Sequence, residues 1–248
     1  MVGRLHLNSP QKRERLPLSA ICSSAALSDL GESDSASGRV NPGDTTLVRA
    51  CDPIWISLRG AKPPSRRTVD EAIYARAPAV FRALAWLTFK LPRGSRLRQA
   101  VIRRSALQAQ GAWMRRDFEA AVFRFAPAYV LTLGEGDLER LDFEASYRGR
   151  DGLRAFVQTY QDAFGDSTYQ PQWIVDLGGG VFVMLVHHNL QGRASGASVQ
   201  QTIAHRLEIR DGLVVREEVH FAPRQDWASL AQTVGLDPAE LAQRQGPD

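Results

Sequence analysis

The sequence has little cysteine and no long apolar run, and each shortage excludes a class of protein. Its 248 residues include two cysteines, Cys22 and Cys51, with no CxxC pair and no cluster of cysteine with histidine. Neither a disulfide framework nor a zinc site is therefore predicted. The most apolar stretch, residues 79–91, is interrupted by Arg82 and is shorter than the ~18 residues that a membrane span needs. We expect no membrane span, no metal, no organic cofactor and, by default, a cytoplasmic protein.

Sustained periodicity is also missing from the first quarter of the chain. Residues 1–67 are rich in Ser, Arg, Gly and Pro, which is typical of a disordered arm. They could also be non-native coding sequence, because the ordered pattern begins abruptly at Val69. Serine and proline interrupt the apolar part of this segment, which argues against a signal peptide. Beyond it we expect a helical extension over 68–104, one domain over 105–236 and a polar tail over 237–248.

The helical extension begins with a capping box, in which Thr68 is followed three residues later by Glu71. Apolar residues then follow at helical spacing as far as Pro92. A second helix, from about Ser95 to Met114, carries arginines at its polar positions. Such a basic amphipathic helix suits an anionic membrane or RNA, but a solvated face is the commoner outcome. We expect the solvated face and no nucleic-acid partner.

The strongest local signal is a β-hairpin across residues 198–221. Asp211 and Gly212 separate two alternating segments, which is a strong hairpin pattern. A three-residue loop would pair His205 with Glu217, whereas a two-residue loop would place an arginine on the apolar face. We therefore expect the three-residue loop, with His205 and Glu217 side by side on the inward face.

The His205–Glu217 pair is the first candidate for chemistry. Polar groups that are costly to bury often mark a site, and a neutral imidazole backed by a carboxylate can act as a general base. His205 would be the base or acid and Glu217 would orient it, to move a proton next to a ketone or to assist an aldol closure. A structural hydrogen bond that fixes strand register is the alternative.

The order of the predicted elements indicates the fold class. Helices come first, and one strand, a further helix and about four antiparallel strands follow, which predicts an α+β layer fold with the sheet wrapped over the helices. The predicted elements of the second half are a strand at 128–133, a helix at 153–164, strands at 170–177 and 181–190, the hairpin, and a helix at 227–234.

Four stretches, in the same order, resemble the SnoaL-like family. Residues 112–121 (AWMRRDFEAA) resemble its opening helix, residues 147–154 (YRGRDGLR) resemble a helix entry, and residues 193–196 and 209–216 resemble its closing strands. The resemblance covers about residues 105–236. It implies the cone of the nuclear transport factor 2-like superfamily, in which a curved antiparallel or mixed sheet wraps around helices. It also implies an apolar pocket at the open end and, commonly, a homodimer.

The known reactions of this superfamily are not carried over residue by residue. Where ketosteroid isomerase has its base Asp, this chain has Thr132 or Leu133, and roughly where it has an oxyanion-binding Asp, this chain has His205. Trp113 stands in place of the assisting Tyr. The Asp-Arg-Asp group of the epoxide hydrolases is not evident. Because one fold supports many reactions, the fold does not give the function.

The expected function is to hold a small, largely apolar molecule, such as a polyketide- or terpenoid-like ketone, in the cone. As an enzyme, the protein would be a cofactor-free isomerase, cyclase or hydrolase; a non-catalytic ligand-binding or dimerisation module is the alternative. His187 and His188 are adjacent on a strand and should face opposite sides. The residues expected to line the pocket are Trp113, Val122, Tyr129, Tyr147, His188, Val215 and Phe221.

Overall fold

A computed structural model describes residues 52–134, 143–222 and 227–245 of the chain. The chain divides into two units, residues 1–52 and residues 53–248. The first unit lies outside the described residues except for Asp52, so the expectation for residues 1–51 is not addressed by the structure. The following description concerns the second unit.

The second unit contains one mixed sheet and the helices that pack on it. The described strands are β1 (Ile54–Ser57), β2 (Phe125–Leu133), β3 (Ser146–Arg148), β4 (Phe164–Gly178), β5 (Val181–Gly192), β6 (Ser198–Arg210) and β7 (Leu213–Ala222). The described helices are α1 (Val69–Arg76), α2 (Pro78–Lys90), α3 (Arg96–Met114), α4 (Phe118–Val122), α5 (Gly149–Ala163), α6 (Trp227–Val234) and α7 (Pro238–Gln245). None of the helices in these described ranges is long and apolar enough to cross a membrane.

The curved sheet has the strand order β1-β4-β5-β6-β7-β2-β3. Neighbouring strands are antiparallel, except that β2 and β7 are parallel. One face packs on an apolar cluster that includes Leu131, Val186 and Val219. The other packs on α6 and α7 through a cluster that includes Leu185, Ala231 and Leu241. The predicted α+β class with a curved mixed sheet is confirmed.

The turn between β6 and β7 has two residues, not the predicted three. Arg210 pairs with Leu213, and Asp211 and Gly212 between them have φ values of 50° and 75°. Positive φ at both central residues is the requirement of a type I′ turn, for which Asp-Gly is a preferred sequence. The sequence signal for the turn was therefore right, but the predicted loop length was wrong.

A β-bulge at Val215 then changes the register of the hairpin. The pairs on either side of it are Glu208 with Arg216 and Ile209 with Val214. The extra residue keeps Arg216 off the apolar face, so Leu207 lies opposite Glu217. His205 lies opposite Val219, and the predicted direct pairing of His205 with Glu217 is wrong. A two-residue turn without a bulge would have placed Arg216 opposite Leu207 on the apolar face. The bulge prevents this, so the two-residue turn is compatible with the apolar face.

The helical extension begins at the predicted capping box, but its first predicted helix is interrupted at Ala77. At the predicted capping box, the Thr68 backbone N–H donates to Glu71 Oε2 (2.7 Å) and the Glu71 N–H donates to Thr68 Oγ1 (3.5 Å). α1 then ends before Pro78, and Ala77 has φ −145° and ψ 66°. Proline disfavours helical dihedrals in the residue before it. The stretch from Thr68 to Pro92 therefore contains two helices, α1 and α2, where the periodicity predicted one.

A buried ion pair attaches α3 to the sheet. Arg98 Nη2 donates to Asp176 Oδ2 of β4 at 2.7 Å, and both side chains are less than a tenth exposed. Arg98 Nη1 also donates to the carbonyl oxygens of Phe89 and Leu91 (3.2 and 3.1 Å), where α2 ends. Removing one partner of a buried pair costs roughly 3–5 kcal/mol, because the other charge is left uncompensated. Arg98 therefore fixes the extension to the domain.

Three of the four arginines of α3 are exposed, as predicted for a solvated face: Arg96, Arg103 and Arg104. Besides the buried Arg98, Arg104 pairs with Asp70 at 2.9 Å and Arg103 donates to the carbonyl oxygen of Ser57 at 3.1 Å. Only Arg98 of these arginines is buried, and the contacts of Arg103 and Arg104 lie at the protein surface.

Two segments expected to lack packed structure are part of the folded unit. β1, within the predicted N-terminal arm, pairs with β4 from Ile54 to Ser57, and Leu58 after it is 2% exposed. α7, within the predicted polar tail, buries Leu241 completely. Both segments are short, and their apolar residues are covered by distant parts of the chain.

Candidate functional site

His205 and Glu217 are hydrogen-bonded despite the shifted register. His205 Nδ1 lies 2.6 Å from Glu217 Oε1, and the two side chains are 13% and 12% exposed. They are diagonal neighbours on one face of β6 and β7, because Leu207 and Val219 are their direct partners. Diagonal neighbours are within reach of long side chains. A lone pair on the carboxylate thus accepts from Nδ1–H and leaves Nε2 pointing away from Glu217.

Tyr129 holds the second carboxylate oxygen. Its hydroxyl donates to Glu217 Oε2, and the residue is 1% exposed. The contact arises because β2 runs parallel to β7 with Leu131 opposite Glu217, and Tyr129 is two residues earlier on the same face. Burial, then the charge of Glu217, raises the pKa of Tyr129 well above its usual value. Tyr129 therefore remains a donor and fixes the orientation of Glu217.

Tyr169 completes a chain of contacts that the sequence analysis did not find. Its hydroxyl lies 3.0 Å from His205 Nε2, and its backbone carbonyl accepts from Gln110 Nε2 at 2.6 Å. Burial raises the pKa of Tyr169 well above its usual value, with the charge of Glu217 as the next cause. With His205 Nδ1–H bonded to Glu217, Nε2 is the acceptor and the protonated phenol is the donor. We call His205, Glu217, Tyr169 and Tyr129 the His205 corner.

A second histidine lies on the neighbouring strand β5. His188 is 3% exposed, and its Nε2 lies 2.6 Å from the hydroxyl of Tyr160 on α5. The two rings are parallel within 7°, and Tyr169 lies opposite His188 in the sheet. The Nδ1 atom of His188 is buried, and no described residue forms a hydrogen bond with it. We call His188 and Tyr160 the His188 corner.

Burial controls protonation in the His188 corner. It lowers the pKa of His188 to about 4, with the nearby His205 as the second cause. It also raises the pKa of Tyr160 above its usual value. At neutral pH both groups are therefore uncharged, and one hydrogen bond joins the phenol to Nε2.

Both corners line a large cavity of about 1150 Å³. Its walls are mainly apolar and come from α2, α3, α5 and the inner face of the sheet. Trp113, at the end of α3, packs edge-on against Tyr160 with ring centroids 5.5 Å apart. Its apolar wall with a few polar groups is typical of small-molecule sites, and its volume lies just above their usual range of roughly 300–1,000 Å³. The residues named from the sequence that line it are Trp113, Val122, His188, His205, Glu217 and Phe221.

Three residues expected in the cavity wall do not line it. Tyr129 lies behind Glu217, as described above. Tyr147 is 4% exposed, and its hydroxyl accepts from the Glu144 backbone N–H at 2.9 Å. Val215 occupies the bulge, so Val214 lines the cavity in its place. The displacement of Val215 follows from the register error described above.

The other two histidines of the described ranges lie outside the cavity. His187 packs its ring on Trp227 of α6 at 5.1 Å, on the opposite side of the sheet from His188, as the alternation predicted. His220 is partly exposed, with Nε2 3.9 Å from Glu218 Oε2. Across the described ranges, no group of three His, Cys, Asp or Glu side chains has the arrangement of a metal site.

Comparison with known proteins identifies the domain that contains both corners. A family model described as SnoaL-like domain matches residues 106–217. Residues 106–217 form a SnoaL-like domain. The matched range includes His188, His205, Glu217 and both cavity tyrosines. No curated protein sequence matches the chain.

Several solved structures are similar to the chain that carries this SnoaL-like domain. A protein of unknown function from Burkholderia pseudomallei, described as NTF2-like, has a TM-score of 0.44 and 19% identity, covering 58% of this chain and 96% of its own. A second NTF2-like protein, from Burkholderia thailandensis, has a TM-score of 0.42 and 19% identity, with coverage of 58% and 96%. TerC, co-crystallised with polyporic acid, has a TM-score of 0.43 and 18% identity, with coverage of 53% and 95%.

Proposed function

We propose that the SnoaL-like domain binds a small, largely apolar ketone in its cavity and that His205 exchanges a proton with it. The observation that carries this proposal is the continuous contact from Glu217 through His205 to Tyr169, facing an apolar cavity. Glu217 orients the ring through Nδ1, and the neutral Nε2 is the base. A polyketide- or terpenoid-like skeleton suits a wall of this composition.

The proposed reaction begins when the ligand carbonyl accepts a hydrogen bond from the Tyr169 hydroxyl. Tyr169 thereby leaves His205 Nε2, which takes a proton from the carbon next to the carbonyl. The electrons of that C–H bond form an enolate, whose oxygen is stabilised by the Tyr169 hydroxyl. The Glu217 carboxylate stabilises the imidazolium. In an unsaturated ketone, return of the proton to another carbon of the conjugated enolate gives an isomer. Alternatively, the enolate carbon attacks a second carbonyl, and the resulting alkoxide takes the proton from the His205 imidazolium to give a cyclised aldol.

A second candidate function is ligand binding without turnover. The Nε2 atoms of both cavity histidines are already bonded to tyrosine hydroxyls, which favours polar groups that only orient a ligand. The domain would then serve as a binding or dimerisation module, and the His205–Glu217 pair would fix the strand arrangement.

The test is native mass spectrometry of the full chain purified from its own organism, followed by deuterium exchange into the retained ligand. We expect a specific bound mass and exchange next to its carbonyl in D₂O. His205→Gln should slow that exchange about 10²–10⁴-fold, the usual contribution of a general base, while the ligand remains bound. His220→Gln, which changes a histidine outside the cavity, is the control.

Each contrary outcome has a distinct meaning. A bound ligand whose exchange is as slow in the wild-type protein as in His205→Gln would establish the binding module. A chain that retains no small molecule and binds none of a panel of apolar ketones would refute both ligand-binding functions.

A further inference from the structure

A long basic segment of the chain has no acidic residue. Between Glu71 and Asp117 there is no Asp or Glu, but there are ten Lys and Arg residues. Arg98 and several others make the contacts described above. Other cations of this segment are exposed, and so are several of its large apolar side chains.

The outer side of α2 exposes large apolar side chains. Val80, Leu84 and Leu87 are 52%, 51% and 52% exposed, and Trp86 is 43% exposed. Positions 80, 84 and 87 lie on one face of the helix, since residues three and four apart are neighbours. No residue of α2 is fully buried. In a soluble protein, contiguous apolar exposure of this kind marks an interaction surface.

Unpaired cations border these apolar side chains. Arg82 and Lys90 on α2, and Arg96 at the start of α3, are exposed. Within the described ranges, none of the three has a carboxylate partner. The Lys90 ammonium lies 5.1 Å from the Trp86 ring centroid. We call the set Val80, Arg82, Leu84, Trp86, Leu87 and Lys90 the α2 face.

The α2 face also adjoins the cavity. Leu84 and Leu87 line the cavity and are half exposed to solvent, so the cavity meets the molecular surface beside this helix. Leu97 of α3 also lines the cavity and is 63% exposed to solvent. An apolar molecule leaving a surface that covers α2 would therefore reach the cavity without crossing the sheet.

We propose that the α2 face docks on an anionic lipid surface. Apolar side chains beside cations are the pattern of interfacial helices, which insert the former at the headgroup boundary and place the latter against lipid phosphates. Aliphatic side chains such as Val80 and Leu84 contribute little to binding nucleic acid, which uses cations and aromatic stacking. A second copy of the chain would bring like charges together. The inference is independent of the proposed proton transfer.

The test measures co-sedimentation of the full chain with vesicles. We expect binding to vesicles of equal parts phosphatidylglycerol and phosphatidylcholine, weak binding to pure phosphatidylcholine, and release at high salt. Arg82→Gln with Lys90→Gln should weaken binding about 30-fold, since each cation near an anionic surface contributes about fivefold. Val80→Asp, at a residue that does not line the cavity, should weaken it about tenfold.

Matched controls separate this surface from the rest of the protein. Val199→Asp changes an equally exposed valine (49%) on β6, and Arg148→Gln with Arg193→Gln removes two exposed cations outside the segment. Both controls should bind anionic vesicles within about twofold of wild type, the spread expected for substitutions away from the surface. Circular dichroism verifies that every variant is folded.

Four outcomes would overturn the proposal. The first is a wild-type chain that binds neither vesicle, or binds both equally. The second is an equal loss in Val199→Asp and Val80→Asp. The third is binding of single-stranded RNA that exceeds vesicle binding and is insensitive to Val80→Asp, which would assign the surface to nucleic acid. The fourth is a homodimer that Val80→Asp dissociates while vesicles are ignored, which would assign it to a second copy.

Discussion

The two histidine corners of the cavity share one contact and differ in the other. In each, Nε2 lies against a tyrosine hydroxyl, at 2.6 Å for His188 and 3.0 Å for His205. The difference is at Nδ1, which is bonded to the Glu217 carboxylate in His205 but has no partner among the described residues in His188.

The partner of Nδ1 gives the two rings different electrostatic surroundings. Burial lowers the pKa of His188 to about 4, so this ring is neutral at pH 7 and acts only through hydrogen bonds. A proton taken up by His205 would lie beside a carboxylate whose other oxygen is fixed by Tyr129. Under the proposed function, we therefore expect acid–base chemistry at the His205 corner and ligand orientation at the His188 corner.

Removing the Glu217 carboxylate should have the largest effect on the stability of the protein, because two buried donors lose their acceptor. It also makes the two corners alike, since neither histidine then has a carboxylate partner. In Glu217→Ala, the Tyr129 hydroxyl and His205 Nδ1–H both lose their acceptor while remaining buried. An unsatisfied buried donor costs about 1–3 kcal/mol, so the free energy of unfolding should fall by roughly 4 kcal/mol. Urea unfolding followed by circular dichroism measures the change.

Glu217→Gln is the matched control for that loss. Its amide oxygen can accept one of the two hydrogen bonds, so the destabilisation should be about half as large. A Glu217→Ala protein as stable as wild type would show that the carboxylate does not hold the corner together.

Acid should destabilise the protein through His188, the corner without a carboxylate. The pKa of His188 is about 4 in the folded protein and 6.5 in an unperturbed chain, so the unfolded chain binds the proton first as the pH falls. Stability from this group is therefore complete above pH 6.5 and is lost as the pH falls towards 4. Between pH 7 and pH 4.5 the loss should be roughly 2 kcal/mol.

The comparison of variants isolates this contribution. Other groups titrate over the same range in every variant, so the quantity of interest is the difference between wild type and His188→Gln. His188→Gln should lack this part of the acid destabilisation, whereas His187→Gln, on the opposite side of the sheet, should retain it. Equal acid sensitivity in all three proteins would contradict the neutral state of His188.

The parts of the fold that were predicted correctly rest on local signals. The capping box at Thr68, the Asp211-Gly212 turn and the helix at 227–234 each depend on a few adjacent residues. β1 was missed because four residues carry almost no periodicity and their partner, β4, is more than a hundred residues away. The break before Pro78, by contrast, could have been predicted from the sequence, because proline disfavours helical dihedrals in the residue before it.

The same division applies to the site. The alternation of apolar and polar residues predicted that His205 and Glu217 share one face of the sheet. This is correct, although the predicted register is wrong. Tyr169 was missed because the predicted strand began one residue later, at 170, and its position against His188 depends on a β4–β5 pairing with several register shifts. Tyr129 reaches Glu217 only through the parallel β2–β7 pairing. Neither contact is encoded within a short window of sequence.

The smallest expected effect concerns the contact that both corners share, between histidine Nε2 and a tyrosine hydroxyl. Tyr160→Phe and Tyr169→Phe each delete one hydroxyl and keep the ring. After Tyr160→Phe, His188 has no hydrogen-bond partner within the described residues, whereas after Tyr169→Phe, His205 retains Glu217. The first substitution should therefore lower the free energy of unfolding by about 1 kcal/mol more than the second. Thermal unfolding of the two variants, side by side, measures it. Equal losses would mean that the Nδ1 partner does not distinguish the corners, and with that the assignment of acid–base chemistry to His205 alone would lose its physical basis.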